Sequence, residues 1–276
     1  MITTPLRYPG GKAKALKKLL PCVPAYYEFR EPFIGGGSVF LALKQLEPQK
    51  CYWINDLNND LYHFWLSLKN SPEKLIQNIK LIKENRRNGK ELYKELVEHK
   101  GMTDLEKAIR FFVLNRITFS GTADSGGFSQ AAFHTRFTLS SIDRLEESFR
   151  LLNNVKVTNL DYEKVLCEPG KDVFIFLDPP YLSATKSKLY GKNGDLHKLF
   201  DHERFAQVMK TIKHKWMITY DDCKEVRTLF SFANLISWEF QYGMNNYKQR
   251  TAEKGKELII TNYETCFHKD LFADCV

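Results

Sequence analysis

Strand and helix patterns alternate at both ends of this sequence but not in its middle, and this change constrains the fold most. Short apolar runs and segments with the apolar period of a helix alternate up to residue 57 and again from residue 155. Residues 58–154 carry helical patterns and no strong strand pattern. We therefore predict an α/β protein whose sheet domain is formed by residues 1–57 and 155–276, with an inserted, mainly helical domain at 58–154.

The same patterns predict the individual elements. The predicted strands cover residues 51–55, 155–160, 173–177, 216–220, 235–241 and 257–263. The predicted helices cover residues 12–20, 38–46, 61–68, 73–86, 91–99, 104–115, 141–152, 203–212 and 224–230. Residues 121–138 are rich in Gly, Ser and Thr, which predicts an extended loop or a hairpin.

The charge balance favours a polyanionic partner. Lys and Arg number 41 and Asp and Glu 33, so the net charge is +8, and basic proteins bind phosphates with release of counterions. The apolar runs are too short to span a bilayer, and the first residues lack the pattern of a secretory signal. The six cysteines show neither metal-binding nor disulfide spacing. We expect a cytoplasmic protein with reduced thiols, no membrane segment and no metal.

Three consecutive glycines stand in the segment Glu-Pro-Phe-Ile-Gly-Gly-Gly-Ser at residues 31–38. A strand-like start precedes them and a helix pattern follows, so bare backbone there can approach a ligand closely. Asp56 lies 21 residues beyond Gly35, at the end of the next predicted strand. Nucleotide-binding α/β proteins place an acid there to hold ribose hydroxyls. The segment predicts a nucleotide-type cofactor without choosing it, and a plain tight turn is the alternative.

A buried strand ends in an acid, two prolines and an aromatic residue, Asp178-Pro179-Pro180-Tyr181. Because proline has no amide hydrogen and a fixed φ, this segment must leave the sheet as a stiff loop at the carboxyl end of the strand. The Asp178 carboxylate and the Pro179 carbonyl offer two acceptors at a rigid spacing, and Tyr181 can stack on a base. Two acceptors suit an amine such as adenine N6, which is a poor nucleophile until its protons are held. A proline turn without a catalytic role is the alternative.

The order of these segments resembles the alpha-group adenine-N6 DNA methyltransferases, the D12 class that includes the Dam methylases. Two further segments match that family: Leu-Arg-Tyr-Pro-Gly-Gly-Lys at 6–12 and Asn-Leu-Asp-Tyr at 159–162. The resemblance covers nearly the whole chain. It implies a Rossmann-like methyltransferase sheet, S-adenosylmethionine as cofactor, and a target-recognition domain inserted where the helical segment 58–154 falls.

The resemblance also implies roles for single residues. Tyr8 and Lys12 would contact the methionine part of the cofactor, and Asp56 its ribose. Asp161 and the Tyr162 backbone would contact its adenine. Lys12 can pair with the methionine carboxylate, and a solvated lysine at a helix start is the alternative. The residues expected to bind the cofactor are Tyr8, Lys12, Pro32, Phe33, Gly35, Gly37, Asp56, Asp161, Tyr162 and Asp178. The residues expected in catalysis are Asp178, Pro179, Pro180 and Tyr181.

The segment Leu-Asn-Arg-Ile-Thr-Phe-Ser-Gly at 114–121 resembles the part of the family that leads into a hairpin entering the DNA. Dam enzymes specific for GATC carry Tyr-Asn where this chain has Phe119 and Ser120, so GATC is not predicted as the target. For Arg116, a structural role at the helix end is the alternative. The residues expected to bind DNA are Arg116, Phe119, Ser120, Gln130, Arg136, Lys248 and Arg250.

Two other basic segments have open interpretations. The residues at 86, 87, 90 and 94 form either a phosphate-facing or a solvated helix surface. The stretch 242–256, which holds Lys248 and Arg250, either closes over DNA or is a surface hairpin.

Together the motifs predict a site-specific enzyme that methylates N6 of an adenine rotated out of duplex DNA. The methyl group would pass by direct displacement, without a covalent enzyme intermediate. We expect a monomer with a role either in restriction-modification, where a cognate endonuclease would be a partner, or in marking phage or bacterial DNA. Two alternatives stay open: an N-methyltransferase acting on RNA or on a protein glutamine, and a DNA-binding regulator without activity.

Overall fold

The computed structural model describes residues 2–123, 126–182, 200–240 and 255–265. Its strands are β1 Glu28–Glu31, β2 Cys51–Asn55, β3 Val155–Thr158, β4 Val173–Leu177, β5 Lys215–Asp221, β6 Asn234–Phe240 and β7 Gly255–Thr261. Its α-helices are α1 Leu16–Leu19, α2 Ser38–Leu46, α3 Asn59–Asn70, α4 Pro72–Asn85, α5 Gly89–Glu98, α6 Asp104–Ile117, α7 Gln130–Thr135, α8 Leu139–Phe149, α9 Tyr162–Cys167, α10 His202–Thr211 and α11 Lys224–Leu229.

Within these ranges the strands form one sheet in the order β3-β2-β1-β4-β5-β7-β6. Strands β1 to β5 are parallel, and β7 lies antiparallel between β5 and β6. From β1 the chain extends the sheet through β2 to β3 and then returns to place β4 on the other side of β1. The strand order therefore reverses between β1 and β4, where ligands of such sheets bind beyond the carboxyl ends. The predicted Rossmann-like α/β fold is confirmed.

Helices cover both faces of the sheet, which explains why its central strand is apolar throughout. Successive side chains of β4 alternate between two cores: Phe174 and Phe176 belong to the first, and Ile175 and Leu177 to the second. The first core continues into helices α2 to α8, and the second into helices α9 to α11. The strand is thus held from both sides, and the loop that follows it has a fixed starting point.

Helices α3 to α8 span the predicted insertion and pack on the first core. The start of α6 is fixed by a capping box between Thr103 and Glu106. The rings of Phe64 and Phe112 stack with their centroids 6.0 Å apart and join α3 to α6. The helical character of residues 58–154 agrees with the prediction, and their separation as a domain stays a prediction. No helix in the described ranges has the length and apolar character needed to cross a membrane.

The predicted loop or hairpin at 121–138 is correct only in its first half. An antiparallel bridge joins Thr118 to Phe128. The described residues between them, 118–123 and 126–128, are called the recognition turn below. Residues Gln130–Thr135 instead form α7. This helix forms because the Ser129 side chain accepts the amide hydrogen of Ala132, which caps the first turn. Burial of Phe133 in the first core then holds the helix in place.

Candidate active site

The loops that follow β1 to β5 meet at the carboxyl edge of the sheet and enclose a cavity of about 730 Å³. The lining includes every position predicted to bind the cofactor or to act in catalysis: Tyr8, Lys12, Pro32, Phe33, Gly35, Gly37, Asp56, Asp161, Tyr162, Asp178, Pro179, Pro180 and Tyr181. Parallel pairing brings these segments together, because parallel strands all end at one edge. The roles of the individual residues stay predictions.

The glycine loop between β1 and α2 is shaped by close contacts that leave no room for side chains. Gly35 has φ +47°, and a Cβ atom built on it would lie 2.8 Å from Cε1 of Tyr8. Gly37 has φ +69°, and its Cβ would lie 3.0 Å from the Trp65 ring. The Trp65 indole also donates a hydrogen bond of 3.2 Å to the Gly35 carbonyl. The loop is therefore clamped between the N-terminal segment and α3.

Asp56 supports the same loop from the end of β2. Its Oδ2 accepts the Gly35 amide hydrogen at 3.1 Å, and its Oδ1 accepts the Asn58 amide hydrogen at 3.0 Å. Burial raises the pKa of Asp56 to about 6, although these backbone hydrogen bonds act in the opposite direction. The carboxylate is thus held in position by the backbone at the cavity wall.

Asp178 lies at the centre of a polar network at the end of β4. The Lys12 ammonium is 2.7 Å from its Oδ1 and 2.8 Å from its Oδ2, and it also donates to the Gly10 carbonyl at 2.9 Å. The Thr219 hydroxyl donates to Oδ1 at 2.8 Å. Lys12 is only 4% exposed, so the predicted alternative of a solvated lysine is wrong. Lys12 is buried, Asp178 is 23% exposed, and both line the cavity, so the pair is part of the site.

Aromatic rings border the network on one side. Tyr181 stacks on Tyr220, with centroids 5.8 Å apart and an angle of 27° between the rings. The Lys12 ammonium lies 5.0 Å from the centroid of the Tyr181 ring, within the range of a cation–π contact. The ring that follows the two prolines is therefore held flat beside Asp178.

A second group of rings forms the wall near β3. The Phe33 ring lies 5.6 Å from the Tyr162 ring, and both contact Phe200 at 5.7 and 5.8 Å. Asp161 precedes Tyr162 and accepts the amide hydrogen of Glu163 at 2.9 Å, which caps α9. The rings make this part of the wall apolar, and the Asp161 carboxylate lies at its edge.

Two residues that sequence reasoning missed belong to this site, Glu31 and Thr219. Glu31 ends β1, is 3% exposed, and accepts the amide hydrogen of Phe40 at 3.0 Å. Burial raises the pKa of Glu31 well above its ordinary value, and the nearby carboxylates of Asp178 and Asp56 raise it further. An acid at the carboxyl end of a strand was a visible signal for Glu31. For Thr219 the signal was a hydroxyl inside the apolar run of β5.

Those residues predicted to bind DNA that the structure describes do not line the cavity. Phe119, 61% exposed, and Ser120, with φ +55°, stand in the recognition turn. Gln130 is exposed at the start of α7, where its side chain lies 2.6 Å from His134. Lys248 and Arg250 lie outside the described residues.

The predicted basic residues of the insertion have different surroundings. Arg116 is buried at the end of α6, whereas Arg136 is exposed at the end of α7. Arg86 is paired with Glu95 at 2.8 Å, so its charge is already balanced within the protein.

Comparison with known proteins agrees with the motifs at this site. A family model described as D12 class N6 adenine-specific DNA methyltransferase matches residues 8–244. The chain is 29% identical over 276 residues to the Type II methyltransferase M1.LlaDCHI of Lactococcus lactis subsp. cremoris. This alignment covers 93% of the chain and 94% of that protein. The chain is 28% identical over 244 residues to a DNA adenine methylase of Vibrio cholerae serotype O1, with coverages of 83% and 85%.

A third relative is the Type II methyltransferase M.MjaIII of Methanocaldococcus jannaschii, 26% identical over 207 residues, with coverages of 67% and 71%. The family match spans most of the sequence and supports the predicted DNA methyltransferase, not the alternatives of an RNA or protein enzyme or an inactive regulator. The chain therefore belongs to the D12 class of N6 adenine-specific DNA methyltransferases.

Proposed function

We propose that this chain is a site-specific enzyme that transfers a methyl group from S-adenosylmethionine to N6 of an adenine in duplex DNA. The observation that carries the proposal is the position of Asp178, whose carboxylate lines the same cavity as the glycine loop and Asp56. Methyl transfer to an adenine amine requires both parts in one place: acceptors for the amine hydrogens and a site for a nucleotide-type cofactor.

The cavity residues fit S-adenosylmethionine. A volume of about 730 Å³ suits a small-molecule cofactor. Asp56 offers carboxylate oxygens to ribose hydroxyls, and the rings of Phe33 and Tyr162 offer a flat apolar wall to an adenine. The glycine loop permits close approach of backbone to the ligand. When bound, the cofactor supplies an electrophilic methyl group on a positively charged sulfur.

Lys12 has two suitable partners in this proposal. In the structure its ammonium is paired with Asp178, and the methionine carboxylate of the cofactor carries the same charge as that partner. We infer that Lys12 shifts toward the cofactor carboxylate and leaves Oδ2 of Asp178 to the target amine. Thr219 keeps its hydrogen bond to Oδ1, so the carboxylate retains its orientation.

Asp178 and Pro179 prepare the amine. Oδ2 of Asp178 accepts one N6 hydrogen and the Pro179 carbonyl accepts the other, which raises the electron density on nitrogen. The nitrogen then forms its bond to the methyl carbon while the bond from carbon to sulfur breaks. S-adenosylhomocysteine would leave as a neutral thioether. The methylated amine, acidic while it carries a positive charge, would give one proton to water. Asp178 therefore needs only to accept hydrogen bonds, and Tyr181 holds the base by stacking.

The base must leave the duplex, because N6 cannot reach the cavity inside a stacked helix. We propose that the helices of residues 58–154 form the target-recognition domain and that Phe119 and Ser120 of the recognition turn contact bases or backbone. The relatives named Type II methyltransferases support a role of the restriction-modification type.

The proposal is tested by offering labelled S-adenosylmethionine with duplex DNA, RNA or a protein mixture. We expect label on adenine N6 of the DNA alone, and Asp178→Ala should abolish it while the protein stays folded. Asp178→Asn keeps the acceptor oxygen and should retain part of the activity. Label only on RNA or protein would contradict the proposal. Sequencing of DNA from a host that lacks methylation then identifies the recognised sequence.

A further inference from the structure

The side chain of Arg116 is buried, and two of its nitrogens lack hydrogen bonds in the part of the chain that the structure describes. Its side chain, at the end of α6, is 3% exposed, and its Nε and Nη2 atoms make no hydrogen bond within the described residues. The guanidinium lies 5.3 Å from the centroid of the Phe112 ring. Burial of a charge without a hydrogen-bonding partner is costly, so this arrangement calls for a ligand rather than a structural role.

Three more arginines act electrostatically on Arg116: Arg144, Arg7 and Arg136, in decreasing order of effect. Burial lowers the pKa of Arg116 to about 9, and all three neighbours lower it further. Burial and the charge of Arg136 also lower the pKa of Arg7. None of these four arginines forms an ion pair with a carboxylate in the described part of the chain.

The backbone holds the cluster in place beside the recognition turn. Nη1 of Arg7 donates to the Thr118 carbonyl at 3.2 Å. Arg144 is half-buried on α8, and Arg136 is exposed at the end of α7. The four arginines thus belong to four different segments, and the positive charges of the other three all act on Arg116. The proposed substrate of the protein is a polyanion.

We propose that Arg7, Arg116, Arg136 and Arg144 form a binding site for one backbone phosphate of the DNA. Nε and Nη2 form one edge of a guanidinium plane, and this edge binds two oxygens of a phosphate at once. A neutral base edge would not compensate four positive charges, whereas a phosphodiester does. Because the edge is covered, a neighbouring side chain must move aside, and the exposed Arg136 is suited to this movement.

The proposal rests on the proposed function, since it assumes that DNA is the substrate. It adds the place on the protein where the phosphate backbone of the DNA is bound. A phosphate at this position would anchor the strand beside the turn that carries Phe119 and Ser120. Such a contact positions the protein without reading sequence. We therefore expect it to act equally on cognate and unrelated duplexes.

The test measures the dissociation constant of a fluorescent duplex without cofactor at several salt concentrations. Arg144→Gln and Arg136→Gln should each bind about tenfold more weakly and lower the slope of log K against log salt by about one. Arg150→Gln is the matched control, because Arg150 is exposed, directly follows the helix that carries Arg144, and undergoes the same change of charge. If both cluster variants keep the slope of the control, the proposal is wrong.

Two further measurements separate the alternatives. Arg116→Met should bind DNA weakly while the Tm of the free protein stays equal or rises, because an unpaired buried cation is removed. A clear fall in Tm together with unchanged salt slopes of the Arg144 and Arg136 variants would show a structural role instead. Inorganic phosphate is tested at matched ionic strength. If it raises the Tm of the wild type while these variants keep wild-type affinity for DNA, the site binds free phosphate, which overturns the proposal.

Failure of the proposed function would look different. The wild type would then bind duplex DNA with the expected dependence on the arginines but transfer no label to it. Conversely, normal methyl transfer with salt slopes that do not depend on the arginines would contradict only the phosphate site.

Discussion

The hydroxyl of Thr219 donates a hydrogen bond of 2.8 Å to Oδ1 of Asp178. The two residues are neighbours because Leu177 of β4 pairs with Ile218 of β5, and each is followed by one member of the pair. Thr219 is 0% exposed, so water cannot replace its hydroxyl. One carboxylate oxygen is thereby fixed by the sheet, and in the proposed mechanism the other accepts a hydrogen of the target amine once Lys12 has shifted.

We expect Thr219→Val to lower kcat about tenfold, the size expected from losing one hydrogen bond to a charged group. Valine has the same shape, so packing should be preserved. The measurement is kcat in methylation of duplex DNA.

Thr219→Ser is the control for this prediction. Serine retains the hydroxyl, so it should restore most of the activity. Equal kcat values for the valine, serine and wild-type proteins would show that Thr219 only fills space.

Features that depend on neighbouring residues could be predicted from the sequence, whereas contacts between residues far apart in the chain could not. Strands β2 and β4 and helix α2 have the predicted bounds, because their apolar patterns and flanking residues are local signals. Most of the cavity lining was also predictable, since the glycine loop, Asp56 and Asp178 each follow a strand and parallel strands end at one edge. The pairing of Lys12 with Asp178 was not predictable, because 166 residues separate the two side chains. Only the strand order brings them together.

Asp56 should make cofactor binding depend on pH. Ribose hydroxyls donate to an ionised carboxylate, and the pKa of Asp56 is about 6. We expect the affinity for S-adenosylhomocysteine to be constant above about pH 7 and to fall as the pH drops through 6, approaching tenfold per unit. Calorimetric titration measures this. Asp56→Asn, which does not titrate, should bind more weakly and lose the pH dependence; if it keeps the wild-type dependence, Asp56 is not the responsible group.

In the cofactor-free protein the effect of Asp56 on stability has the opposite sign. The pKa in the folded state lies above the ordinary value of 3.8, so the folded protein binds the proton more tightly than the unfolded chain. The contribution of Asp56 to stability is therefore full below pH 3.8 and is lost as the pH rises through 6.

Gly35→Ala should damage the cofactor site through Tyr8. The added Cβ would lie 2.8 Å from the Tyr8 ring, closer than van der Waals contact, so the ring must move. Gly101→Ala is the matched control, because Gly101 also has a positive φ, +71°, but no atom lies within 4 Å of its added Cβ. Both variants should lose about 1 kcal/mol of stability from backbone strain.

Only Gly35→Ala should also weaken binding of S-adenosylhomocysteine, by about tenfold if displacement of Tyr8 removes one contact worth about 1.4 kcal/mol. Urea unfolding and calorimetric titration of both variants give the two quantities. If the variants bind the ligand equally well, the contact between the glycine loop and Tyr8 has no part in the cofactor site.

Asn115 joins the recognition turn to the segment that precedes Tyr8. Its side-chain amide donates to the carbonyls of Arg7 at 2.7 Å and Gly121 at 2.9 Å, and its Oδ1 accepts the Arg7 amide hydrogen at 2.9 Å. Asn115 is 0% exposed. Water cannot reach these groups, so the backbone groups of Arg7 and Gly121 depend on the Asn115 side chain for these three hydrogen bonds.

We expect Asn115→Ala to lower the free energy of unfolding by about 3 kcal/mol, near 1 kcal/mol for each lost hydrogen bond. Asn78→Ala is the control, because the Asn78 side chain is exposed and bonds only the Lys74 carbonyl of its own helix; this variant should change stability little. Urea unfolding measures both. Because Arg7 precedes Tyr8, the Asn115 variant should also bind DNA and S-adenosylhomocysteine more weakly at temperatures where it is folded. A loss of stability without any change in either affinity would show that Asn115 supports the fold alone and does not connect the two binding segments.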